Sequence, residues 1–353
     1  MRAVLHLGET LERGTLRVPF SGLLAGAWRL AMTRTLRRNL RLPAHVRVLA
    51  IGGATLGGSG KTPLAIACAA ELARQGASAV LVGHAYKAAP RFARVVADGD
   101  SVEDVGDEAL MASRALRASG ARVVVAPTRQ AAIDLGATLG RVLVVDGVSQ
   151  TAPVSASLAL LALDAAEPWG SRQALPPRGD LRASPAELIE VCDVVVPFGD
   201  LPDPTSAEWC GISGKREGSP ARAEGAGAHL TSGELLSWDA LADTPVGLIT
   251  TLARPDRLVR SLAARGVYPR LVLRGSDHGP SPARLGRHAS SATKDAGIAL
   301  WLATAKCSIH LERLERAADR DARALLGAPR ATLEHRFVLS GSLVARLHRL
   351  AAP

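Results

Sequence analysis

The feature that most constrains this chain is a glycine-rich segment, TLGGSGKT at residues 55–62, which stands between an apolar strand and a helix. The strand reads VRVLAI at 46–51, and the helix reads PLAIACAAELARQ at 63–75. A strand, a glycine loop and a helix in this order form a P-loop, in which backbone amides and the positive end of the helix surround phosphate oxygens. The segment therefore predicts a site for a nucleoside triphosphate.

Each position of this loop has a predicted task. Glycines at 57, 58 and 60 let the backbone amides turn inward, Lys61 neutralises the β- and γ-phosphates, and Thr62 offers its hydroxyl to Mg²⁺. The predicted nucleotide-binding residues are Thr55, Gly57, Gly58, Ser59, Gly60, Lys61 and Thr62. The strict pattern has glycine where Thr55 stands, so a chance glycine turn is the alternative.

Further apolar runs bounded by turn residues follow at 78–83, 121–126, 141–146 and 157–164. Helical segments separate some of them, and this alternation predicts an α/β fold with a doubly wound, mostly parallel sheet of the P-loop NTPase type. The amino-acid composition changes after Asp164, and residues 217–233 have the composition of a loop or linker. A second α/β section begins at 246. We expect an N-terminal helical region at 1–45, a P-loop domain at 46–165 and a second, smaller α/β domain at 166–353.

Residues 18–42 predict one amphipathic helix. Its apolar residues, Trp28 among them, precede an arginine cluster formed by Arg34, Arg37, Arg38 and Arg41. Such a helix suits the headgroup region of an anionic membrane, and a surface helix that packs on its own domain is the alternative. No apolar run approaches the roughly 20 residues that span a bilayer, and the N-terminus lacks the order of a secretory signal. The chain is expected in the cytoplasm.

The charge of the chain points to a polyanionic partner. The formal net charge is +10 and the pI is about 10.3, which suits nucleic acid, anionic lipid or a phosphorylated substrate. Aromatic residues make up only 3% of the chain, which argues against stacking on single-stranded nucleic acid. The four cysteines form no CxxC pair, so neither a zinc site nor a disulfide framework is expected.

Phosphoryl transfer also needs acidic groups outside the loop. Asp146 closes the run RVLVVD and is a candidate to hold magnesium, with a turn-capping aspartate as the alternative. Asp107 and the pair Asp277-His278 are candidates for the group that orients the acceptor and takes its proton. For Asp107 the alternative is the N-cap of the helix that follows.

In order and spacing, these motifs resemble the tetraacyldisaccharide 4'-kinase family, the lipid A 4'-kinases of Gram-negative bacteria. That family typically shows VGNxTVGGTGKTP, LSRGYG, GDEP, DDGLQH, LLPAGPLRE, G-xx-P-xR-F and FPDHH after an amphipathic N-terminal helix. In the same order this chain has IGGATLGGSGKTP (51–63), LVGHAY (81–86), GDEA (106–109), VDGVSQ (145–150), ALPPRGDLR (174–182), ARPDRL (253–258) and GSDHG (275–279). Thr55, which breaks the strict P-loop pattern, is the residue that the family usually has there.

The resemblance implies transfer of the γ-phosphate of ATP, with Mg²⁺, to the 4'-hydroxyl of a lipid disaccharide 1-phosphate at the inner face of the cytoplasmic membrane. It implies that Lys61 and Thr62 serve nucleotide and magnesium, and that Asp146 is the acid on the magnesium side. Asp107 with His278 would activate the hydroxyl, and Arg182, at the LRE-like position, would meet a substrate phosphate. Neither nucleic acid nor an obligate protein partner is expected.

Three segments depart from the family pattern: SRGY is GHAY, DDGLQH is VDGVSQ, and TEKD is TAKC at 304–307. The first two changes remove an arginine, a carboxylate and a histidine. Phosphoryl transfer tolerates such losses because positioning and charge neutralisation dominate it. Two alternatives stay open: a catalytically impaired family member that binds nucleotide, and a P-loop partner-switch ATPase or GTPase.

Overall fold

The computed structural model describes residues 19, 21–36, 40–83, 85, 88–148, 156–199, 217–252, 254–275, 282–318 and 320–352; within these ranges, the side chains of 32–36, 171, 217, 282–288 and 322 are not described. Two compact units divide the chain. The first unit comprises Thr10–Ala223 and Phe337–Pro353, and the second unit contains Glu224–Arg336.

The described strands are β1 (Arg47–Gly53), β2 (Ala79–Val82), β3 (Arg94–Val95), β4 (Arg122–Val125), β5 (Val142–Asp146), β6 (Leu158–Asp164), β7 (Val194–Phe198), β8 (Glu217–Gly218), β9 (Ala221–Glu224), β10 (Gly227–Leu230), β11 (Leu235–Ser237), β12 (Val246–Thr250), β13 (Leu271–Arg274), β14 (Leu300–Ala303), β15 (Arg330–Leu333) and β16 (Arg336–Leu339). The described α-helices are α1 (Ser21–Leu36), α2 (Lys61–Arg74), α3 (Val102–Val105), α4 (Asp107–Leu116), α5 (Arg129–Leu139), α6 (Pro185–Glu190), α7 (Trp238–Ala242), α8 (Pro255–Ala263), α9 (Pro282–Asp295), α10 (Ala305–Ala318), α11 (Ala322–Leu326) and α12 (Gly341–Ala351).

The first unit is built on a mostly parallel sheet with the strand order β16-β9-β7-β6-β1-β5-β2-β4-β3, and β8 also pairs with β7. Strand β1 lies at its centre and pairs in parallel with β5 on one side and with β6 on the other. Both neighbours are buried along their whole length, as expected for strands covered by helices on both faces. Helix α2 follows the glycine loop and packs on β1, β2 and β5, and α12 packs on α2. The loop therefore leaves the sheet at its central strand.

The second unit holds a smaller sheet with the order β11-β10-β15-β14-β12-β13. Strands β12, β13, β14 and β15 run parallel, whereas β10 pairs antiparallel with both β11 and β15. Trp301 is fully buried in an apolar cluster of this unit. The predicted fold class, a doubly wound P-loop type sheet with a smaller α/β part, is confirmed.

Two details differ from the sequence prediction. Residues 217–233, predicted as a loop or linker, contain the short strands β8, β9 and β10. Their Gly- and Ala-rich composition hides the strands because pairing rests on backbone hydrogen bonds, which in part join strands distant in the sequence such as β7 and β15. The predicted helix at 18–42 is helical over Ser21–Leu36, and residues 40–42 are not helical.

The boundary between the two α/β parts of the chain also differs from the predicted one. The sequence placed it at 165/166, but β7 pairs in parallel with β6, with Val194 opposite Leu160. The chain after Asp164 therefore still belongs to the first sheet, and the division shown by the structure comes after residue 223. None of the helices described in this structure combines the length and the apolar character that a bilayer span requires.

Candidate functional site

The glycine loop connects the end of β1 to the start of α2, where the P-loop prediction requires it. Gly58 and Gly60 have φ angles of 67° and 74°, a left-handed conformation that favours glycine. At Gly60 space is a second constraint, because an added Cβ would lie 2.4 Å from Cε1 of Phe198. The Phe198 ring in turn stacks on Phe337, with 5.1 Å between the ring centroids. The end of the loop, just before α2, therefore lies against the aromatic pair Phe198 and Phe337.

Thr55 occupies the position where the strict pattern has glycine, and its contacts explain why a side chain fits there. Its backbone φ is not positive, and the residue is buried, with 2% of its surface exposed. Its hydroxyl donates to the carbonyl oxygen of Gly57 across 2.7 Å. The threonine therefore stabilises the first turn of the loop by a hydrogen bond inside the loop.

Lys61 lies over the end of β1. Its Nζ donates to Oγ of the buried Ser59 across 3.1 Å. Gly53 lies beneath both side chains, since a Cβ at this position would come within 2.2 Å of Ser59 Oγ and 2.6 Å of Lys61 Cγ. A lysine at the start of this helix adds its charge to the positive helix end, which favours an anion in front of the loop.

Thr62 and Asp146 meet at the carboxyl end of the neighbouring strands. The Thr62 hydroxyl donates to Oδ2 of Asp146 across 2.7 Å, and Oε2 of Glu108 lies 3.4 Å from the same hydroxyl. Asp146 is buried, and its Oδ1 has no hydrogen-bond partner among the described residues. Burial raises the pKa of Asp146, Lys61 opposes this shift, and Glu108 reinforces it.

This oxygen set suits a hard divalent cation. Mg²⁺ prefers oxygen ligands and is usually held by one or two carboxylates together with substrate phosphates. The orphaned Oδ1 of Asp146 and the hydroxyl of Thr62 provide such ligands. Within the described ranges there is no group of three or more His, Cys, Asp or Glu side chains that could hold a metal ion.

Asp107 is buried at the start of α4, but it is not the N-cap. Gly106 holds the cap position with a φ of 90°, and Asp107 is the first helical residue. Its Oδ1 accepts the backbone N–H of Glu108 across 2.8 Å. Its predicted partner His278 lies outside the described residues, as does Asp277. The pairing of Asp107 with His278 therefore stays a prediction.

Arg182 lies against the loop. Its Nε donates to the carbonyl oxygen of Thr55 across 2.7 Å, and its Nη2 donates to that of Leu56 across 3.0 Å. The sequence placed this arginine on a substrate phosphate, a role that stays a prediction. A contact with the loop backbone was not anticipated.

Sequence reasoning missed three further neighbours of the site: Glu108, Phe198 and Arg129. Glu108 was noted only as part of the Gly106-Asp107-Glu108 segment. Arg129 opens α5 and donates from its guanidinium to the backbone carbonyl of Asp146, so it holds the end of β5 in place. No local pattern marks Arg129 or Phe198, since each reaches the site from a segment remote in the sequence.

Comparison with known proteins gives a consistent result. The family model described as tetraacyldisaccharide-1-P 4'-kinase matches residues 14–347. The tetraacyldisaccharide 4'-kinase of Anaeromyxobacter sp. strain Fw109-5 is 35% identical over 234 residues, which is 63% of this chain and 62% of that protein. The enzyme of the same name from Anaeromyxobacter sp. strain K is 30% identical over 330 residues, which is 88% of this chain and 84% of that protein.

Among solved structures, the chain is similar to LpxK from Aquifex aeolicus, described as an "apo" form in complex with ATP. The TM-score is 0.65 at 18% identity, over 94% of this chain and 98% of the Aquifex chain. At this identity the likeness concerns the fold. It agrees with the two α/β units described above.

Proposed function

The chain belongs to the tetraacyldisaccharide 4'-kinase family, and on this premise we propose that it transfers the γ-phosphate of ATP to the 4'-hydroxyl of a lipid disaccharide 1-phosphate. The observation that carries the proposal is the joint placement of Lys61, Thr62 and Asp146. A loop of P-loop shape, a helix N-terminus, a lysine and a carboxylate oxygen that has no partner within the described ranges lie together. They form an anion site next to a cation site, which a magnesium–triphosphate requires.

Each residue then has a chemical task. The loop at 57–60 binds phosphate oxygens with its amides, and Lys61 neutralises charge that builds up during transfer. Thr62 and Asp146 would hold Mg²⁺, which would neutralise phosphate charge when bound. Glu108, 3.4 Å from the Thr62 hydroxyl, adds a second carboxylate next to these two residues. Arg129 keeps the Asp146 backbone fixed.

The acceptor hydroxyl needs a group that takes its proton. Asp107 is the candidate in the first unit, because it is a buried carboxylate one residue from Glu108. Its partner in this task is His278, by the resemblance to the family motifs. A histidine beside a carboxylate has the basicity that proton removal near neutral pH requires.

Membrane association at the inner face is also part of the proposal. In α1 the side chains of Leu23, Leu24 and Leu30 are 75%, 46% and 58% exposed. A helix that leaves these leucines in water has an apolar surface available for the headgroup region. The lipid acceptor would then enter from the bilayer.

The central test is Lys61→Ala. Purified protein is incubated with Mg-ATP and the lipid disaccharide 1-phosphate in detergent micelles, and mass spectrometry follows the gain of one phosphate. We expect the wild type and the exposed control Lys294→Ala to phosphorylate the lipid, and Lys61→Ala to lose at least about a hundredfold in rate, as when a transition-state contact is removed. Undiminished transfer by Lys61→Ala would contradict the site assignment.

Two further measurements, made beside this assay, separate the two rival functions. An impaired nucleotide-binding family member would bind ATP in calorimetry but add no phosphate to the lipid. A partner-switch NTPase would release phosphate without any lipid acceptor. The altered VDGVSQ and TAKC segments make the first rival the one to measure directly.

A further inference from the structure

A short segment at 180–182 lies antiparallel to the first half of the glycine loop. Thr55 and Leu181 form an isolated bridge. The N–H of Leu56 donates to the Asp180 carbonyl and the N–H of Arg182 to the Ala54 carbonyl, each across 2.9 Å. Leu181 is 1% exposed and packs in an apolar cluster with Ala54 and Trp169. The segment is therefore anchored in the core of the first unit.

Two side chains complete this attachment. Arg182 donates to the carbonyls of Thr55 and Leu56, and Thr55 donates to the carbonyl of Gly57. Three successive carbonyl oxygens of the loop, at 55–57, thus accept hydrogen bonds from side chains. A guanidinium suits this task because its donors form a rigid planar fork.

The direction of these carbonyls determines the direction of the amides. In a planar trans peptide the N–H points opposite to the C=O. The N–H of Gly57 shares a peptide with the Leu56 carbonyl, and the N–H of Gly58 shares one with the Gly57 carbonyl. Both amides therefore point away from Arg182 and from the Thr55 hydroxyl.

This arrangement matters because glycine peptides rotate easily. A chain with two adjacent glycines loses much conformational entropy when it is ordered. A rotated peptide would turn a carbonyl oxygen, rather than an N–H, toward a phosphate. If the orientation of the carbonyls is already fixed before the nucleotide binds, the loop loses less conformational entropy on binding.

We propose that Arg182 is a positioning residue for the phosphate-binding loop, which fixes the peptide orientation at 55–57 and so strengthens nucleotide binding. The inference rests on the proposed function, since it takes the loop as the ATP site. It differs from the expectation that Arg182 contacts a substrate phosphate, because the two roles affect the affinities for different ligands.

The test compares Arg182→Ala with Arg178→Ala, which removes an exposed arginine just before this segment. Calorimetry measures the Kd of Mg-ATP without lipid, and steady-state kinetics give the KM of the lipid at saturating ATP. We expect Arg182→Ala to raise the Kd of ATP about tenfold or more, because two charge-assisted hydrogen bonds are lost. The KM of the lipid should stay within about twofold, and Arg178→Ala should match the wild type.

Arg182→Gln covers the case in which the alanine variant does not fold. Glutamine retains donors but lacks the two-pronged fork, so the Kd of ATP should again rise, whereas Arg182→Lys should restore part of the affinity. An unchanged Kd of ATP in either the Ala or the Gln variant, together with a raised KM of the lipid, would overturn the inference in favour of a substrate contact. An unchanged Kd with an unchanged KM would overturn it as well. If the wild type itself binds no ATP, the proposed function fails instead.

Discussion

The hydroxyl of Thr62 donates to Oδ2 of Asp146 across 2.7 Å, and this bond joins the first turn of α2 to the last residue of β5. The two residues are brought together by strand pairing, because Asp146 lies opposite Ile51 in the parallel register of β1 and β5. The second oxygen of the same carboxylate has no hydrogen-bond partner among the described residues. A buried carboxylate in this state destabilises the fold, and the natural reason to retain it is a ligand.

Asp146→Asn should raise the thermal stability of the protein and at the same time lower its phosphate-transfer activity. Burial raises the pKa of Asp146 above its ordinary value, so the ionised form is disfavoured in the folded chain relative to the unfolded chain. This destabilisation is absent below the ordinary aspartate pKa and grows as pH rises through the raised pKa. At neutral pH the neutral amide should therefore raise the Tm of the protein without ligand, by about 2–4 °C for each kcal/mol gained. Phosphate transfer should fall by at least about a hundredfold.

Thermal unfolding at several pH values checks the sign of this effect. The Tm advantage of Asp146→Asn should shrink as pH falls toward the ordinary aspartate pKa. Asp98→Asn, which alters an aspartate with a 66% exposed side chain, serves as the control and should show no comparable gain. A lower Tm for Asp146→Asn at neutral pH would show that the ionised carboxylate stabilises the fold, contrary to this account.

Much of this site follows from the sequence, for a physical reason. Parallel strands place their carboxyl ends at one edge of a sheet, so a glycine loop after one apolar run and an aspartate at the end of another are brought together. The prediction of Lys61, Thr62 and Asp146 as neighbours needed only the strand pattern. Thr55 was expected from the family resemblance, and its bond to the Gly57 carbonyl gives the physical reason.

The parts that the sequence did not predict depend on contacts between remote segments. Phe198 limits the residue type at Gly60, although the two are 138 residues apart in the sequence. Arg182 contacts Thr55, from which it is separated by 127 residues. No periodicity connects such pairs, because each is set by how strands and loops pack. The strands within 217–233 were missed for the related reason that strand pairing uses backbone groups, which every residue type carries.

Gly53→Ala tests whether the space beneath Lys61 is required. Gly53 does not have a positive φ, so alanine adds no backbone strain there. Its methyl group would instead come within 2.6 Å of Lys61 Cγ and 2.2 Å of Ser59 Oγ, which forces both side chains to move. We expect the KM of ATP to rise about tenfold, since overpacking of this kind typically costs about 1–3 kcal/mol.

Gly99→Ala is the matched control for this substitution, because an added Cβ at Gly99 meets nothing within 4 Å and the backbone φ is again not positive. It should leave both the KM of ATP and the Tm unchanged. Equal kinetics for Gly53→Ala and Gly99→Ala would mean that Lys61 does not have to lie over the end of β1 for nucleotide to bind.

The exposed leucines of α1 provide the last prediction. Leu23 and Leu30 are separated by seven residues, about two helical turns, so they share one side of the helix. Burying a leucine side chain is worth about 1.5–3 kcal/mol. The double variant Leu23→Glu/Leu30→Glu should therefore lower partition into vesicles that contain anionic lipid by at least about tenfold. Sedimentation of the protein with vesicles measures this directly.

Two further variants separate the apolar contribution from the charge and from general surface effects. Leu235→Glu changes a 44% exposed leucine of the second unit and should bind vesicles as the wild type does. Replacing Arg34, Arg37, Arg38 and Arg41 with glutamine should weaken binding at low salt and remove most of its salt dependence, because each basic residue near an anionic surface contributes about 1 kcal/mol. Unchanged binding in both the leucine and the arginine variants would favour the alternative in which α1 packs on protein, and the lipid acceptor would then have to reach Asp107 by a route that does not involve this helix.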